Sequence, residues 1–390
     1  MACFLRRMAC ALCVCVCLAG IMPSAKAEAP LEEGAPMTLT APSAVLMEAE
    51  TGAVIFEKNA DERRPAASIT KLMTLLLTLE KIDAGGISLE DKVTVSPAAA
   101  AQPGSQAFLD AGAAYPIKDL LKAVIISSAN DGAAALAEYM AGTEESFVSL
   151  MNDRAEEMGL HNTHYRNCTG LPAEGQYTCA RDVAVLSREI TRHPVYFQYS
   201  STWLDSLTHP SGRVTDLTNT NRLVRFYPDC DGLKTGSTSE AKYCLSATAQ
   251  RNGMRLIAVV LGVPNSQTRF DEARAMMDYG FSAYSLTPVA RKGDLIGMQV
   301  PVKMGARDSV DAALGSGLSL LLRSGQQNQL SFETSLPDCV TAPVKAGEPL
   351  GTVRVLLAGK RVAELPAVAA QDVRLPGLLE GFFRLWEHWR

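Results

Sequence analysis

A serine and a lysine three residues apart are the first side chains in this sequence that could catalyse a reaction together. Ser68 and Lys71 lie in the run Pro65-Ala66-Ala67-Ser68-Ile69-Thr70-Lys71, directly before a strongly apolar stretch. At this spacing on a helix the two side chains share one face, a single turn apart. A serine hydroxyl needs a base within hydrogen-bond reach, and a lysine amine can be that base only when it is uncharged. The pair therefore predicts Ser68 as a nucleophile and Lys71 as its general base.

Two further motifs supply groups that such a reaction needs. A Ser-x-x-Lys pair alone occurs roughly once or twice by chance in a chain of this length, so the pair by itself is weak support. The second motif lies in a small polar segment between two predicted helices, and the third lies at the start of a predicted strand. They are Ser128-Ala129-Asn130 and Lys234-Thr235-Gly236.

The predicted elements around these motifs indicate an α+β domain with a helical insert between its strands. Alternating apolar residues over 44–48 and 53–57 predict a β-hairpin, and residues 92–95 a short strand. Residues 98–112 are expected to form a loop of small residues. Helical spacing predicts helices after Ser68 and over 115–126, 133–140, 144–158, 180–191 (with Thr178 as the N-cap) and 269–280. Strands are expected to return at the Lys234 motif and over 243–249 and 255–261.

The C-terminal third of the sequence has a different pattern. Short alternating strands predict a small β domain without a nucleophile and base of its own, with strands over 300–304, 318–322, 330–332 and 353–356. Residues 378–390 are amphipathic, because their apolar side chains fall within an arc of ~160° on a helix. We expect this helix to bind a membrane surface by aromatic burial or to pack on the β domain.

The first 27 residues predict a secretory signal peptide. Arg6 and Arg7 precede an apolar run over 8–22, and small residues surround Lys26 at the expected cleavage site. Its removal deletes three basic residues and no acid, so 37 basic and 42 acidic residues become 34 and 42, a net charge of −8. An acidic surface argues against nucleic acid as a partner. We expect an exported protein at the outer face of the cytoplasmic membrane, in the cell wall or in the periplasmic space.

Cysteine and histidine positions give no sign of a metal site. After removal of the signal peptide the chain has no Cys-x-x-Cys pair and no histidine cluster, so neither a metal nor another cofactor is expected. After removal of the signal peptide an odd number of cysteines remains, which leaves at least one unpaired. Cys230 and Cys244 flank a predicted hairpin, where a disulfide and two buried thiols are both compatible with the sequence. Surface or capping positions are expected for His161, His164, His193 and His209.

The three motifs together resemble the Ser-x-x-Lys, Ser-x-Asn and Lys-Thr-Gly set of penicillin-binding proteins and serine β-lactamases. Asp231-Gly232-Leu233, the signal peptide, the β domain and the terminal helix make the low-molecular-weight D-alanyl-D-alanine carboxypeptidases the closer resemblance, over residues 38–390. This resemblance implies a transpeptidase-like catalytic domain, with a five-stranded antiparallel sheet, flanking helices and a helical subdomain. The implied boundaries are 38–285 for this domain, 288–376 for a small all-β domain and 377–390 for a membrane-associating helix.

The resemblance also implies a reaction and the residues that carry it out. The reaction is removal of the terminal D-alanine from peptidoglycan stem pentapeptides, with β-lactam antibiotics such as penicillin as covalent inhibitors. Ser68 would form the acyl-enzyme, Lys71 would take its proton, and Ser128 would relay a proton to the leaving amine. A charged Lys234 would help to keep Lys71 neutral.

The remaining motif residues are expected to bind the substrate. Asn130 would hold the substrate amide and fix Lys71, while Gly236 would leave room for an extended peptide along the strand edge. The backbone N–H groups of Ser68 and Ser237 are the expected oxyanion hole. The full set of expected binding residues is Asn130, Lys234, Thr235, Gly236, Ser237 and Arg269.

Three other functions use similar residues. A D,D-endopeptidase would act on peptidoglycan cross-links with the same groups. A class A β-lactamase adds a glutamate in Glu-x-x-Leu-Asn, whereas Glu157-Met158-Gly159-Leu160-His161 has histidine in the last position and ends a predicted helix. A non-catalytic penicillin-sensing or peptidoglycan-binding protein would not need both Ser68 and Lys71.

Overall fold

The computed structural model describes residues 37–388, so the predicted signal peptide lies outside the described residues. An α+β unit comes first and an all-β unit follows it. The strands of the α+β unit are β1 (Ser43–Glu48), β2 (Val54–Lys58), β3 (Lys92–Thr94), β4 (Ala114–Pro116), β5 (Leu204–Thr208), β6 (Val214–Thr218), β7 (Cys230–Thr238), β8 (Lys242–Arg251) and β9 (Met254–Val263). Its helices are α1 (Lys71–Asp83), α2 (Pro97–Ala100), α3 (Ile117–Ser127), α4 (Asn130–Ala141), α5 (Glu144–Glu157), α6 (Ala180–Ile190), α7 (Pro194–Ser200), α8 (Leu223–Phe226) and α9 (Ser266–Ala283).

A five-stranded antiparallel sheet with the order β2-β1-β9-β8-β7 forms the centre of the α+β unit. Alternate residues of its central strand β9 face opposite sides. Ile257, Val259 and Leu261 belong to the core shared with the helical insert, whereas Ala258 and Val260 belong to the core under α9. The expected hairpin and five-stranded sheet are confirmed, and β7 with its Lys-Thr-Gly motif is an edge strand.

The helix after Ser68 is the buried apolar helix that the sequence predicts. A 3-10 helix over Ala67–Thr70 leads directly into α1. Side chains of α1 that have no exposed surface include Leu72, Met73, Leu75, Leu76 and Leu79. Because α1 is enclosed by α4, α5 and α6, the residues at its start are held in place by packing on all sides.

The all-β unit has more strands than the sequence indicates. Its strands are β10 (Tyr284–Ala290), β11 (Leu295–Lys303), β12 (Ser309–Leu314), β13 (Leu318–Arg323), β14 (Leu330–Ser335), β15 (Val340–Thr341), β16 (Pro349–Leu357) and β17 (Lys360–Ala369), and α10 (Leu378–His388) follows them. The six-stranded sheet has the order β14-β16-β17-β12-β11-β15, and β10 pairs separately with β13. Four strands were not predicted, because they are very short or rich in alanine and proline (β10, β12, β15 and β17).

Two local expectations are wrong. The N-cap of α6 is Cys179, whose sulfur accepts a hydrogen bond from the Asp182 amide, while Thr178 pairs with Arg64 in an isolated bridge. The expected loop over 98–112 begins with the short helix α2, since Ser96 caps it and Pro97 occupies its first position.

The five cysteines of the described residues are free thiols. Cys230 lies opposite Ala249, whereas Cys244 lies opposite Gly236, so the two cysteines are six residues apart along β7. This spacing is too long for a disulfide. Burial instead raises the pKa of the Cys230 thiol to about 12 and that of the Cys244 thiol to about 11.

Helices of membrane-spanning length and apolarity are absent from residues 37–388.

Candidate active site

The segment that carries Ser68 is in close contact with strand β7. A Cβ atom added to Gly236 would lie 2.4 Å from the carbonyl oxygen of Ala66. One added to Gly170, where φ is +83°, would lie 2.0 Å from the carbonyl oxygen of Ala67. Only glycine fits at either position. The expected role of Gly236 was room for a substrate, but in the structure its missing side chain makes room for the Ser68 segment itself.

Two residues of the site have backbone conformations that are unfavourable for a side chain other than glycine. Ala67 directly before Ser68 has a φ of 49°, and Ser128 has a φ of 65°. Such left-handed residues store strain and persist only where surrounding structure enforces them. Both lie next to the expected chemistry, which is where strained residues commonly occur.

The hydroxyl of Ser68 and the amine of Lys71 are in direct contact. Lys71 Nζ lies 2.9 Å from Ser68 Oγ and donates a hydrogen bond to the carbonyl oxygen of Thr169 at 2.6 Å. Lys71 is fully buried, and this burial lowers the pKa of its amine to about 7. At neutral pH a large fraction of the amine is therefore uncharged, with a lone pair that can accept the Ser68 proton.

Ser128 and Asn130 lie where α3 ends and α4 begins. The expected loop is shorter than predicted, because Ser128 caps α3 and Asn130 is the first residue of α4. Ser128 Oγ and Asn130 Oδ1 are buried and have no hydrogen-bond partner within residues 37–388. Buried polar atoms of this kind usually have a partner, so both atoms indicate a place for a ligand. Asn130 Nδ2 donates to the carbonyl oxygen of Pro103 at 2.5 Å, and this bond, not one to Lys71, orients the side chain.

The buried carboxylate of Asp131 organises the loop beside this motif. Its two oxygens accept hydrogen bonds from the amides of Ala107 and Leu109, both at 3.0 Å. These bonds attach the loop to the start of α4, directly beside Asn130. The sequence alone does not reveal this role, because an acidic residue at a helix start is also typical of ordinary capping.

The amine of Lys234 is fully buried on β7, close enough to Lys71 for the two charges to interact. Burial lowers the pKa of Lys234 well below its usual value, and the positive charges of Lys71 and Arg269 lower it further. Two buried amines without an anion between them cannot both remain charged at little cost. The neighbouring Thr235 donates a hydrogen bond to Thr220 Oγ1 at 2.8 Å, whereas Ser237 is exposed at the end of the strand.

Arg269 connects α9 to the same strand. Its guanidinium donates to the carbonyl oxygens of Gly236 at 3.1 Å and Cys244 at 3.4 Å, and to Ser266 Oγ at 3.2 Å. Its Nε is buried without a hydrogen-bond partner in the described part of the chain. Burial lowers the pKa of Arg269 to about 10, so the side chain is still a cation at neutral pH.

Glu157 ends a helix as the sequence predicts, whereas two of the histidines are not at the surface. Glu157 ends α5, with 67% of its side chain exposed and an ion pair to Arg154, so it does not resemble a buried activator of water. His193 and His209 are buried, so neither lies at the surface, although His193 does occupy the N-cap position of α7. His209 Nδ1 lies 2.7 Å from Tyr115 Oη, so this histidine belongs to a buried hydrogen-bond network.

Comparison with known proteins gives matches along most of the chain. A family model described as D-alanyl-D-alanine carboxypeptidase matches residues 27–265, and one described as penicillin-binding protein 5, C-terminal domain, matches residues 284–374. The chain is 37% identical to D-alanyl-D-alanine carboxypeptidase DacF of Bacillus subtilis over 99% of both chains. It is 36% identical to D-alanyl-D-alanine carboxypeptidase DacC of Escherichia coli, over 92% of this chain and 91% of that protein. Penicillin-binding protein 5 from Haemophilus influenzae has a similar structure, with a TM-score of 0.76, 31% identity and coverage of 87% of this chain and 99% of that one.

Proposed function

The chain belongs to the D-alanyl-D-alanine carboxypeptidase family and is a serine-type carboxypeptidase, and we propose that its reaction proceeds through an acyl-enzyme on Ser68. The observation that carries this proposal is the 2.9 Å contact between Ser68 Oγ and the buried amine of Lys71. The proposed substrate is the peptidoglycan stem pentapeptide, from which the terminal D-alanine is released. Penicillin and other β-lactams would acylate the same hydroxyl.

In the first step, Ser68 attacks the carbonyl carbon between the two D-alanines. The neutral Lys71 amine takes the hydroxyl proton as the new C–O bond forms, and the Thr169 carbonyl holds the amine in position through the 2.6 Å hydrogen bond. The backbone N–H groups of Ser68 and Ser237 are proposed to bind the developing oxyanion. One such donor contributes about 3 kcal/mol in other enzymes.

In the second step, the C–N bond breaks and D-alanine leaves with a proton on its amine. Ser128 is proposed to relay this proton from Lys71 to the amine. Its buried hydroxyl supports this role, because it has no hydrogen-bond partner among the described residues. The buried Oδ1 of Asn130 is proposed to accept a hydrogen bond from a substrate amide, because no group among the described residues occupies it. Water then attacks the acyl-enzyme carbonyl carbon, and the neutral Lys71 amine takes a proton from this water. The proton passes to Ser68 Oγ as the acyl C–O bond breaks, which restores both residues.

The terminal carboxylate of the substrate is proposed to bind to Lys234, Thr235 and Arg269. A carboxylate in this buried site would raise the pKa of Lys234 and restore its charge. A charged Lys234 then disfavours a proton on Lys71 and keeps the base neutral. Binding of the terminal carboxylate would thus help to activate Ser68. We interpret the presence of two buried lysines in one site in this way.

Replacement of Arg269 by glutamine is expected to raise KM for a D-Ala-D-Ala peptide roughly 10- to 100-fold, since a hydrogen bond to a charged group is lost. For a peptide with a terminal carboxamide, KM should rise much less, because this peptide has no carboxylate for Arg269 to bind. Arg274→Gln is the matched control on the same helix, where the guanidinium donates to the Phe226 carbonyl oxygen instead. An equal rise in KM for both peptides would mean that Arg269 acts only through its hydrogen bond to the Gly236 carbonyl oxygen.

The activity is tested by incubation of the purified protein with a D-Ala-D-Ala pentapeptide and, separately, with a cross-linked peptide dimer. We expect release of free D-alanine from the pentapeptide and no cleavage of the dimer. Cleavage of the dimer at a higher rate would favour a D,D-endopeptidase. Covalent capture of penicillin without turnover of either peptide would favour a penicillin sensor.

We propose that the protein acts outside the cytoplasm, after removal of residues 1–27, and that α10 binds the membrane surface. Four apolar side chains of α10 support this, with exposures of 97% for Leu378, 77% for Leu379, 63% for Phe382 and 64% for Trp386. Sedimentation with uncharged phospholipid vesicles should carry the protein down even at high salt, because aromatic burial and not charge drives binding. A protein that stays in the supernatant would contradict the proposal. The domain boundaries 38–285, 288–376 and 377–390 are proposed with it.

A further inference from the structure

Three potential metal ligands lie together where two helices end. Glu80 is in the last turn of α1, Glu189 is in the last turn of α6, and His193 follows α6 directly before α7. One carboxylate oxygen of each glutamate and one ring nitrogen of the histidine lie within 4.8 Å of one another. None of these residues has a part in the proposed reaction.

A third carboxylate orients the imidazole of His193. Nδ1 lies 2.6 Å from Asp83 Oδ2, and since a carboxylate can only accept, Nδ1 donates this hydrogen bond. In the neutral ring, Nε2 then carries a lone pair. The side chain is only 9% exposed, and Nε2 has no hydrogen-bond partner within the described residues. Histidines that bind metals typically have a carboxylate on one ring nitrogen and the ion on the other.

The electrostatics of the cluster also favour a cation. The C-terminal ends of α1 and α6 both contribute partial negative charge, to which Glu80 and Glu189 add two carboxylates. Arg154 donates to Glu80 Oε1 at 2.6 Å and Arg192 donates to Glu189 Oε2 at 2.9 Å. Each arginine thus occupies one oxygen of its glutamate, and no hydrogen bond from the described part of the chain reaches the other oxygen.

We propose that Glu80, Glu189 and His193 bind a divalent metal ion, with Asp83 as a positioning residue for the imidazole. One imidazole and two carboxylates, with water in a fourth position, fit Zn²⁺ better than Ca²⁺ or Mg²⁺, which prefer oxygen ligands. Tetrahedral Zn²⁺ separates its ligand atoms by about 3.3 Å, so the glutamates must move inward. Both side chains are long and partly exposed, at 29% and 27%, which permits this movement.

The ion would have a structural role. Glu80 lies nine residues along α1 from Lys71, which is roughly 13 Å on a helix, so the ion is too far away to take part in the chemistry. It would instead link the end of α1, whose first residue is the general base, to the end of α6. We therefore expect Zn²⁺ to raise the unfolding temperature and to leave acylation by penicillin unchanged.

The experiment is a calorimetric titration of the protein with ZnCl₂, with thermal unfolding measured in parallel. A Cys339→Ser background removes the one cysteine that is not buried among the described residues. We expect one bound ion per chain and an unfolding temperature raised by roughly 5–10 °C at a hundredfold excess over Kd. The double variant Glu80→Gln/Glu189→Gln should lose both effects, and Asp83→Asn should weaken binding roughly 10- to 100-fold.

Glu157→Gln is the matched control, because Glu157 also pairs with Arg154 but lies outside the three ligands. It should bind Zn²⁺ like the unchanged chain. Absence of saturable binding by the unchanged chain would overturn the proposal, as would a double variant that still binds one ion. Stabilisation by Ca²⁺ or Mg²⁺ without any effect of Zn²⁺ would overturn the assignment of the histidine as a ligand.

Discussion

The Ser68→Ala variant is expected to release no measurable D-alanine from a pentapeptide and to form no covalent adduct with penicillin. Within residues 37–388, Ser68 Oγ is the only side-chain oxygen that forms a hydrogen bond with the Lys71 amine, and the change removes it. Loss of a serine nucleophile lowers the rate by roughly 10⁶-fold in comparable enzymes. Mass spectrometry of penicillin-treated protein, followed by peptide mapping, should place the adduct of the unchanged protein on Ser68.

The variant should fold normally, since Ser68 is only partly buried and its hydroxyl makes no other hydrogen bond that the described residues reveal. Ser149→Ala is a suitable control, because Ser149 lies on α5 and its hydroxyl donates to the Glu145 carbonyl oxygen within the same helix. This control should retain full turnover and the adduct. An adduct that persists in Ser68→Ala, or one that maps to another residue, would contradict the proposed mechanism.

The parts of the site that the sequence predicts are those encoded by side chains at fixed short spacing. Ser68 and Lys71 meet because three residues along a helix is one turn, which holds in any fold. The position of the Lys-Thr-Gly motif on a sheet edge, by contrast, is implied only by the family resemblance, because it depends on the order of the strands in the sheet. The pairing of β1 with β9 was not predicted, because strand spacing does not fix which strands become neighbours.

Other parts of the site arise from backbone groups that the sequence does not display. Thr169 contributes a carbonyl oxygen to Lys71, and any residue type could have supplied it. The roles of Gly170 and Gly236 depend on which segment approaches them, so a glycine in the sequence indicates a close approach but not its partner. The sequence therefore predicts the chemistry of the groups but not the contacts that hold them.

The cluster around His193 shows the same limit for residues far apart in the chain. Glu80 and Asp83 come from α1, more than a hundred residues before the others. Glu189 lies in the last turn of α6, and His193 lies between α6 and α7. No short motif joins them, and the spacing rules for metal sites do not detect ligands from separate helices. Only the packing of α1 against α6 brings these side chains together.

The second large expected effect is slower acylation when the buried Lys71 side chain cannot lose its charge. Lys71→Arg keeps a long cationic side chain but replaces the amine with a guanidinium that stays protonated in proteins. We expect penicillin acylation to become roughly 10²- to 10⁴-fold slower, the range for loss of a general base. The matched control is Lys81→Arg, because Lys81 is exposed in the last turn of the same helix and has no expected role in catalysis.

The unchanged enzyme should reveal the same base through the pH dependence of acylation. Burial lowers the pKa of Lys71 from its usual 10.5 to about 7, so the active neutral amine predominates above this pH and disappears below it. The acylation rate constant should therefore fall tenfold per pH unit well below pH 7 and level off above it, as measured by rapid mixing with a chromogenic β-lactam. In Lys71→Arg this acidic limb should vanish, since the guanidinium does not titrate in the range. A rate constant that is independent of pH in the unchanged enzyme would show that another group takes the Ser68 proton.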